Sequence, residues 1–312
     1  MTALKKKTVR KTAAPKPKPR RGETCVRAEI GILGGTGLYE IDGIQNVREV
    51  KLKTPFGDPS DAYIIGRLEG RDVAFLSRHG RGHRFLPTDV NFRANIYGFK
   101  LLGVERVISV NSCGSLKEEM KPRDIVFSDQ FFDRTRRPGT FFTKGIAAHV
   151  VFADPVCGSL SKTLFETGQA LGVRVHPKGT YLCMEGPAFS TKAESRVYRS
   201  WGCDVIGMTA ATEARLCREA EMCYSTMNLV TDYDCWHESE EIVSVELILG
   251  NLRANIHNAK AIIKAALPKI VKQAESGCAC RSALAGTFVT DPKLIPAKLK
   301  SDLRPIIGKY IR

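Results

Sequence analysis

Between Arg27 and Asp232 the chain alternates between two textures. Short apolar runs rich in β-branched residues (AEIGILGGTG, DAYIIGRL, RDVAFLSR, VERVISVNSCG, DIVFSDQFF, RVHPKGTYLCM, CDVIGM and MCYSTMNLVTD) read as buried strands. Between several of them, 90–103, 155–172, 191–202 and 209–221 carry apolar residues at three- and four-residue spacing and read as helices, and 244–270 reads as a strong closing helix. Strands alternating with helices leave few solutions, of which a mostly parallel or mixed sheet flanked by helices is the general one, so the fold class is α/β. No internal repeat competes with that reading. With 43% apolar and 26% charged residues, the 312-residue chain has material for a sizeable core, which excludes wholly disordered, collagen-like and coiled-coil classes. No uncharged apolar run reaches the roughly 18 residues a membrane-spanning helix needs.

The charge has to be divided before it is interpreted. There are 48 Lys and Arg against 33 Asp and Glu, but nine of the basic residues fall within 1–21, where there is no acid, leaving a surplus of six on the rest. Residues 1–22 (MTALKKKTVRKTAAPKPKPRRG) are expected to be an extended, solvated tail. Its partners are at most weak, salt-sensitive acidic surfaces; the body is not expected to bind nucleic acid or membrane. The start lacks an apolar targeting core, and ten Cys over such a length do not make a secreted disulfide scaffold. A cytoplasmic protein with mostly reduced thiols is expected. No CxxC pair occurs, so no structural zinc and no other metal is expected. Cys278-Ala279-Cys280 is read as two free thiols, with a strained disulfide as the other reading.

The strand ends carry the chemistry. Gly34-Gly35-Thr36-Gly37 is a glycine-rich turn after a strand, but a dinucleotide fingerprint begun at Gly35 needs glycine where Glu40 stands. Backbone N–H groups and the Thr36 hydroxyl still suit a free anion. Arg78-His79 within SRHGRGH offers a fork and a ring donor for phosphate. The His79/His83 spacing matches a zinc-protease helix, but Gly80 stands where that motif has glutamate. Asn111-Ser112-Cys113-Gly114 closes an apolar strand, the edge where α/β folds place ligands, with Cys113 read as inert and buried. Met184–Ser190 (MEGPAFS), Gly207-Met208-Thr209 and Thr231-Asp232-Tyr233-Asp234 complete the set. Two carboxylates one residue apart raise each other's proton affinity, which suits a general acid.

Taken in order, LGGTG, SRHGRGH, NSCGS, EGPAFS, GMT and TDYDCW resemble the trimeric nucleoside phosphorylases, over about residues 28–270. The resemblance is nearest to members that cleave 5′-methylthioadenosine. It implies a single-domain nucleoside phosphorylase fold over 23–275, with a central mixed, distorted β-sheet flanked by helices and a C-terminal extension over 276–312. It implies an enzyme, a pentosyltransferase of purine and methionine salvage, that needs no cofactor and uses inorganic phosphate as co-substrate. A broader purine nucleoside phosphorylase acting on adenosine or methylthioinosine is the alternative.

By resemblance, Thr36, Arg78, His79, Asn111, Ser112 and Thr209 hold the phosphate. Met208 lies against the ribose and Phe189 on the purine. Asp232 faces the purine N7 and 6-amino group, with Asp234 adjacent, and these two are the catalytic pair; Tyr233 joins the substrate contacts. Ser190 and Val245 set specificity: 6-oxopurine-specific relatives carry Glu and Asn where this chain has Ser190 and Asp232. Val245, Ile248 and Leu249 form an apolar wall for the methylthio end. His149 matches a residue that reaches in from a neighbouring subunit, so a homotrimer is expected.

Overall fold

A computed structural model describes residues 26–35, 38, 41–237 and 245–311, with no account of the side chains of 245–248 and 273. The basic tail therefore lies outside the described residues, as do Thr36 and Gly37. The strands are β1 (Ile30–Gly34), β2 (Gln45–Val50), β3 (Tyr63–Leu68), β4 (Arg71–Ser77), β5 (Arg106–Ser115), β6 (Ile125–Val126), β7 (Gln130–Asp133), β8 (Val175–His176), β9 (Thr180–Cys183), β10 (Val205–Gly207) and β11 (Cys223–Asp232). The helices are α1 (Phe92–Leu101), α2 (Gly158–Ala170), α3 (Lys192–Ser200), α4 (Ala210–Glu219), α5 (Val245–Ala266), α6 (Ala297–Asp302) and α7 (Arg304–Ile307).

The described strands form one mixed sheet in the order β2-β3-β4-β1-β5-β10-β9-β7, with β11, β6 and β8 branching from β5. Alternation along the central strands sorts side chains onto two faces. Leu33, Ala74, Leu76, Val107 and Tyr224 pack with Ile96 and Phe99 of α1 and Leu216 of α4. Ile30, Ile32, Phe75 and Ile108 pack with Leu160 and Leu164 of α2 and Ile262 and Ile263 of α5. The result is the helix-covered sheet expected from the sequence. The C-terminal extension belongs to the first face: Leu303, Ile306 and Ile307 are buried in the same cluster as Tyr97 and Phe99.

The distortion sits on β5. Its first half pairs in parallel with β1 on one side and with β11 on the other. β1 ends at Gly34, and beyond it Gly114 and Ser115 pair antiparallel with Ile206 and Val205 of β10. β5 therefore exchanges neighbours partway along, and the crevice at such a switch is where sheets of this class take ligands. The β11 register slips between Val230 and Asp232, which sets Asp232 opposite Gly114. The carbonyls at the slip are met from α5: Asn255 Nδ2 donates to Val230 O (2.9 Å) and Asn251 Nδ2 to Thr231 O (2.7 Å). Two asparagines one helical turn apart thus supply donors where the regular ladder breaks.

Candidate active site

A cavity of about 330 Å³ opens at this switch, lined from the ends of β4, β5, β9, β10 and β11. Of the residues singled out in the sequence, Arg78, His79, Asn111, Ser112, Phe189, Met208, Thr209, Asp232 and Asp234 line it. They come from five separated segments.

One side is built of donors and a helix start. Thr209 is the N-cap position of α4, and its hydroxyl donates to Asn111 Oδ1 (2.8 Å) instead of capping its own helix. Asn111 is saturated further by Nδ2 bonds to Ser109 Oγ (3.1 Å) and Thr226 Oγ1 (2.7 Å). Ser112 is exposed at the cavity. The α4 N–H groups bring the positive end of the helix dipole to the same place. His79 Nδ1–H donates to Phe85 O (2.9 Å), which leaves the lone pair on Nε2. Burial, then the Arg78 guanidinium, pulls the imidazole down to about 4, so the ring is neutral at pH 7. It stacks on His83 with ring centroids 4.3 Å apart.

Arg78 is placed differently from the open fork expected for an anion. Its Nε donates to Glu213 Oε1 (2.7 Å), and Nη2 donates to Ser109 Oγ (2.7 Å) and Leu33 O (3.1 Å). Nη1 donates to Val110 O (2.8 Å). A buried guanidinium needs a counter-charge, and Glu213, wholly buried, supplies it. Glu213 in turn accepts from Ser109 Oγ (2.5 Å) and Tyr224 OH (3.0 Å). The pair is neutral overall, so the anion-attracting character of this side rests on the neutral donors and the helix terminus.

The carboxyl groups form a second part of the lining. Asp232 accepts from Thr231 Oγ1 on Oδ2 (2.7 Å) and from Asp234 N on Oδ1 (2.8 Å). Burial, with the Asp234 carboxylate adding to it, outweighs those bonds and raises the Asp232 carboxyl above its ordinary range. Asp234, held at φ +52°, is raised as well, chiefly by burial, against the Ser195 and Ser190 hydroxyls that lower it. Gly114 is required beside them: a Cβ there would stand 2.9 Å from Asp232 Oδ1 and 3.2 Å from Ile206. Cys113 lines the same wall, but burial holds its thiol well above the usual range, in keeping with an inert role.

Met184, Pro187, Phe189 and Met208 supply the apolar lining. Phe189 is 56% exposed at the mouth. Met208 is anchored by a residue the sequence reading missed. Arg137 pairs with Glu185 (2.9 Å) and donates to the carbonyls of Glu185 and Met208, tying the β9 and β10 exits together. Gly186, at φ +73°, lets Met208 approach, since a Cβ there would meet its Sδ at 2.6 Å. Neither Arg137 nor Glu213 stands in a local motif, so no sequence signal marked them.

Other expected site residues lie off this cavity. Tyr233 turns away, donating to Glu118 O (3.2 Å) and stacking on His237, because burial of its ring against Trp236 and His237 leaves no route inward. Ser190 does not line the cavity; it stands behind the acids, its carbonyl accepting from Cys235 Sγ (3.2 Å). Leu249 is 47% exposed near the start of α5. Val245 and Ile248 fall in the first turn of that helix, and their side chains lie outside the described residues. His149 is exposed on the segment before α2, its N–H donating to Thr287 O (3.0 Å).

A family described as the phosphorylase superfamily matches residues 29–268. A relative from Koribacter versatilis, S-methyl-5′-thioadenosine phosphorylase, is 55% identical over 286 residues, covering 91% of this chain and 97% of its own. A solved methylthioadenosine phosphorylase from an antarctic soil metagenomic library superposes with TM-score 0.85 at 44% identity, covering 90% of this chain and 99% of that one. A methylthioadenosine phosphorylase from Schistosoma mansoni, solved with adenine, gives TM-score 0.78 at 30% identity, over 84% of this chain and 99% of that one.

Proposed function

This chain belongs to the phosphorylase superfamily, among the S-methyl-5′-thioadenosine phosphorylases, and from that premise we propose that it cleaves S-methyl-5′-thioadenosine with phosphate, giving adenine and 5-methylthioribose 1-phosphate. The observation that carries the reading is that one cavity is lined both by neutral donors at a helix start and by a buried acid pair whose proton affinity is raised.

Phosphate lies over the α4 N-terminus with the Ser112 hydroxyl and His79 beside it. Neutral His79 accepts a phosphate O–H through Nε2, which favours the monohydrogen form at neutral pH. A phosphate oxygen attacks C1′ as the bond from C1′ to purine N9 breaks, through an oxocarbenium-like state. The electron pair leaving with N9 is neutralised by a proton from Asp232 to N7, so adenine departs uncharged. The remaining Asp232 oxygen accepts from the 6-amino group, which favours adenine over 6-oxopurines. Thr36 completes the phosphate site by resemblance. Phosphate is a co-substrate; the sugar phosphate sheds its O–H proton to solvent and Asp232 regains one from solvent, which closes the cycle.

The active unit is a homotrimer in which His149 of a neighbouring copy closes the sugar end of the cavity. Its support is the apolar strip around His149: Val151 is 74% exposed and Val289, on the segment paired to it, 67%. No described helix is long and apolar enough to cross a membrane, and the cytoplasm is the compartment that suits this salvage chemistry. The test is adenine release from methylthioadenosine, adenosine, methylthioinosine and inosine, with and without phosphate. Release that ignores phosphate, or faster turnover of the 6-oxo pair, would overturn the assignment.

A further inference from the structure

Four cysteines outside the cavity converge. The Sγ atoms of Cys157, Cys223, Cys278 and Cys280 all lie within 4.8 Å of one another. They come from three places: Cys157 is the N-cap of α2, Cys223 opens β11, and Cys278 and Cys280 flank the turn that begins the C-terminal extension. We propose that these four thiolates form a tetrahedral zinc site that fastens the C-terminal extension to the body of the enzyme.

The donor set fits that ion. A zinc–thiolate bond of about 2.3 Å places neighbouring sulfurs of a tetrahedron about 3.8 Å apart, and four mutually adjacent sulfurs meet this with small shifts. Cys223 and Cys278 stand at 3.4 Å. The group contains no carboxylate or imidazole, and an all-thiolate set selects zinc over magnesium, calcium or manganese. Cys157, Cys223 and Cys280 are buried and Cys278 half-buried, with no position open to substrate, which marks a structural centre rather than a catalytic one.

The surroundings support anionic sulfur. Ser159 Oγ lies 3.3 Å from Cys157 Sγ, and Ser276 Oγ donates to Cys278 Sγ (3.1 Å). Cys157 also sits at the start of a thirteen-residue helix, where the dipole stabilises a thiolate. Two ligands are held by the body of the fold: Cys157 N–H donates to Tyr224 O (2.8 Å) and Cys223 N–H to Glu105 O (2.9 Å). The Cys-x-Cys turn closes onto that half-site. The absence of a CxxC pair, which argued against zinc in the sequence, does not bear on ligands gathered from three segments. The centre is remote from catalysis, because Cys223 and Asp232 are opposite ends of β11, about 30 Å apart at 3.3 Å per residue.

The experiment uses the full chain purified without chelators from zinc-supplemented medium. Elemental analysis is expected to give one zinc per chain. Titration with a mercurial is expected to release it in step with four thiols, and cobalt exchanged into the wild-type protein should give the intense visible bands of tetrahedral thiolate coordination. Cys280→Ser and Cys157→Ser should lose the metal. The wild-type measurements stand even if those variants fold poorly. The proposal is overturned by a protein that holds neither zinc nor cobalt, whether all its thiols then react freely or some prove joined as disulfides. Metal retained at full occupancy in both variants overturns it equally.

Discussion

Replacing Asp232 with Asn tests the chemistry with little disturbance to the fold. Asp232 Oδ1 accepts from Asp234 N, and the amide oxygen of Asn takes over that bond. The amide NH₂ then meets Thr231 Oγ1, whose own hydrogen can turn to the Cys113 carbonyl 3.1 Å away. Every neighbour stays satisfied, so stability should change by less than about 1 kcal/mol. Catalysis should not survive as well. Asn donates a hydrogen bond but transfers no proton, and losing a general acid costs about 10²-fold or more, or about 2.7 kcal/mol. On methylthioinosine the same NH₂ gains a bond to the 6-oxygen worth about 1 kcal/mol, which offsets roughly fivefold of the loss. The preference for the 6-amino substrate should therefore fall by at least about fivefold. Because burial raises the Asp232 carboxyl, wild-type activity is predicted to fall as rising pH removes its proton, and that limb should be absent in the variant. The assay is kcat/KM for both substrates against pH at saturating phosphate. An equal loss on both, with the pH limb intact, would refute Asp232 as the group that protonates the base and reads its 6-position.

Three further outcomes follow from the same geometry. Arg78→Ala leaves Glu213 buried without its counter-charge and should cost about 3–5 kcal/mol of stability by denaturant unfolding, whereas Arg78→Lys keeps the charge and should lose much less; equal losses in the two variants would refute the counter-charge role. Burial raises the Glu219 carboxyl to about 7, so its contribution to stability is complete below about pH 4.5 and is lost as pH climbs through 7. Glu219→Gln, whose amide oxygen can still accept from Phe141 N, should match the wild type near pH 4 and exceed it by up to about 3 kcal/mol above pH 7; parallel Tm profiles would contradict this. Light scattering should give three times the 34.4 kDa chain mass, and His149→Ala should raise the nucleoside KM without changing that mass; a fully active monomer rules out the shared site.

The strands with continuous apolar runs were plain in the sequence because burial on both faces leaves no other pattern, as in β1, IGILG, where every residue is buried. β2 was not read as a strand: QNVREV lies at the sheet edge and is almost wholly exposed, so nothing imposes an apolar period on it. The short helices α6 and α7 were unread for a related reason, since one or two turns do not establish a repeat. At the site, residues that face a ligand cluster at strand ends and were visible as motifs. Those that act through partners were not. Glu213 meets Arg78 across 135 residues, and Arg137 reaches Met208 across 71, distances over which spacing carries no information. Cys278 and Cys280 stood out as a Cys-x-Cys pair, but their meeting with Cys157 and Cys223 did not, for the same reason: the fold, not the local sequence, brings the four together.

The paired asparagines on α5 divide that helix into two mechanical regimes. From Asn251 onward it is riveted to β11 at the slip that aims Asp232, so a change there alters the posture of the acid. Upstream, the turn and a half holding Val245, Ile248 and Leu249 precedes both rivets and can be resculpted as an independent surface. On the proposed reading, in which this turn walls the 5′-substituent, redesign for a bulkier or more polar tail has a natural boundary at Asn251, beyond which a change would disturb the reading of the base.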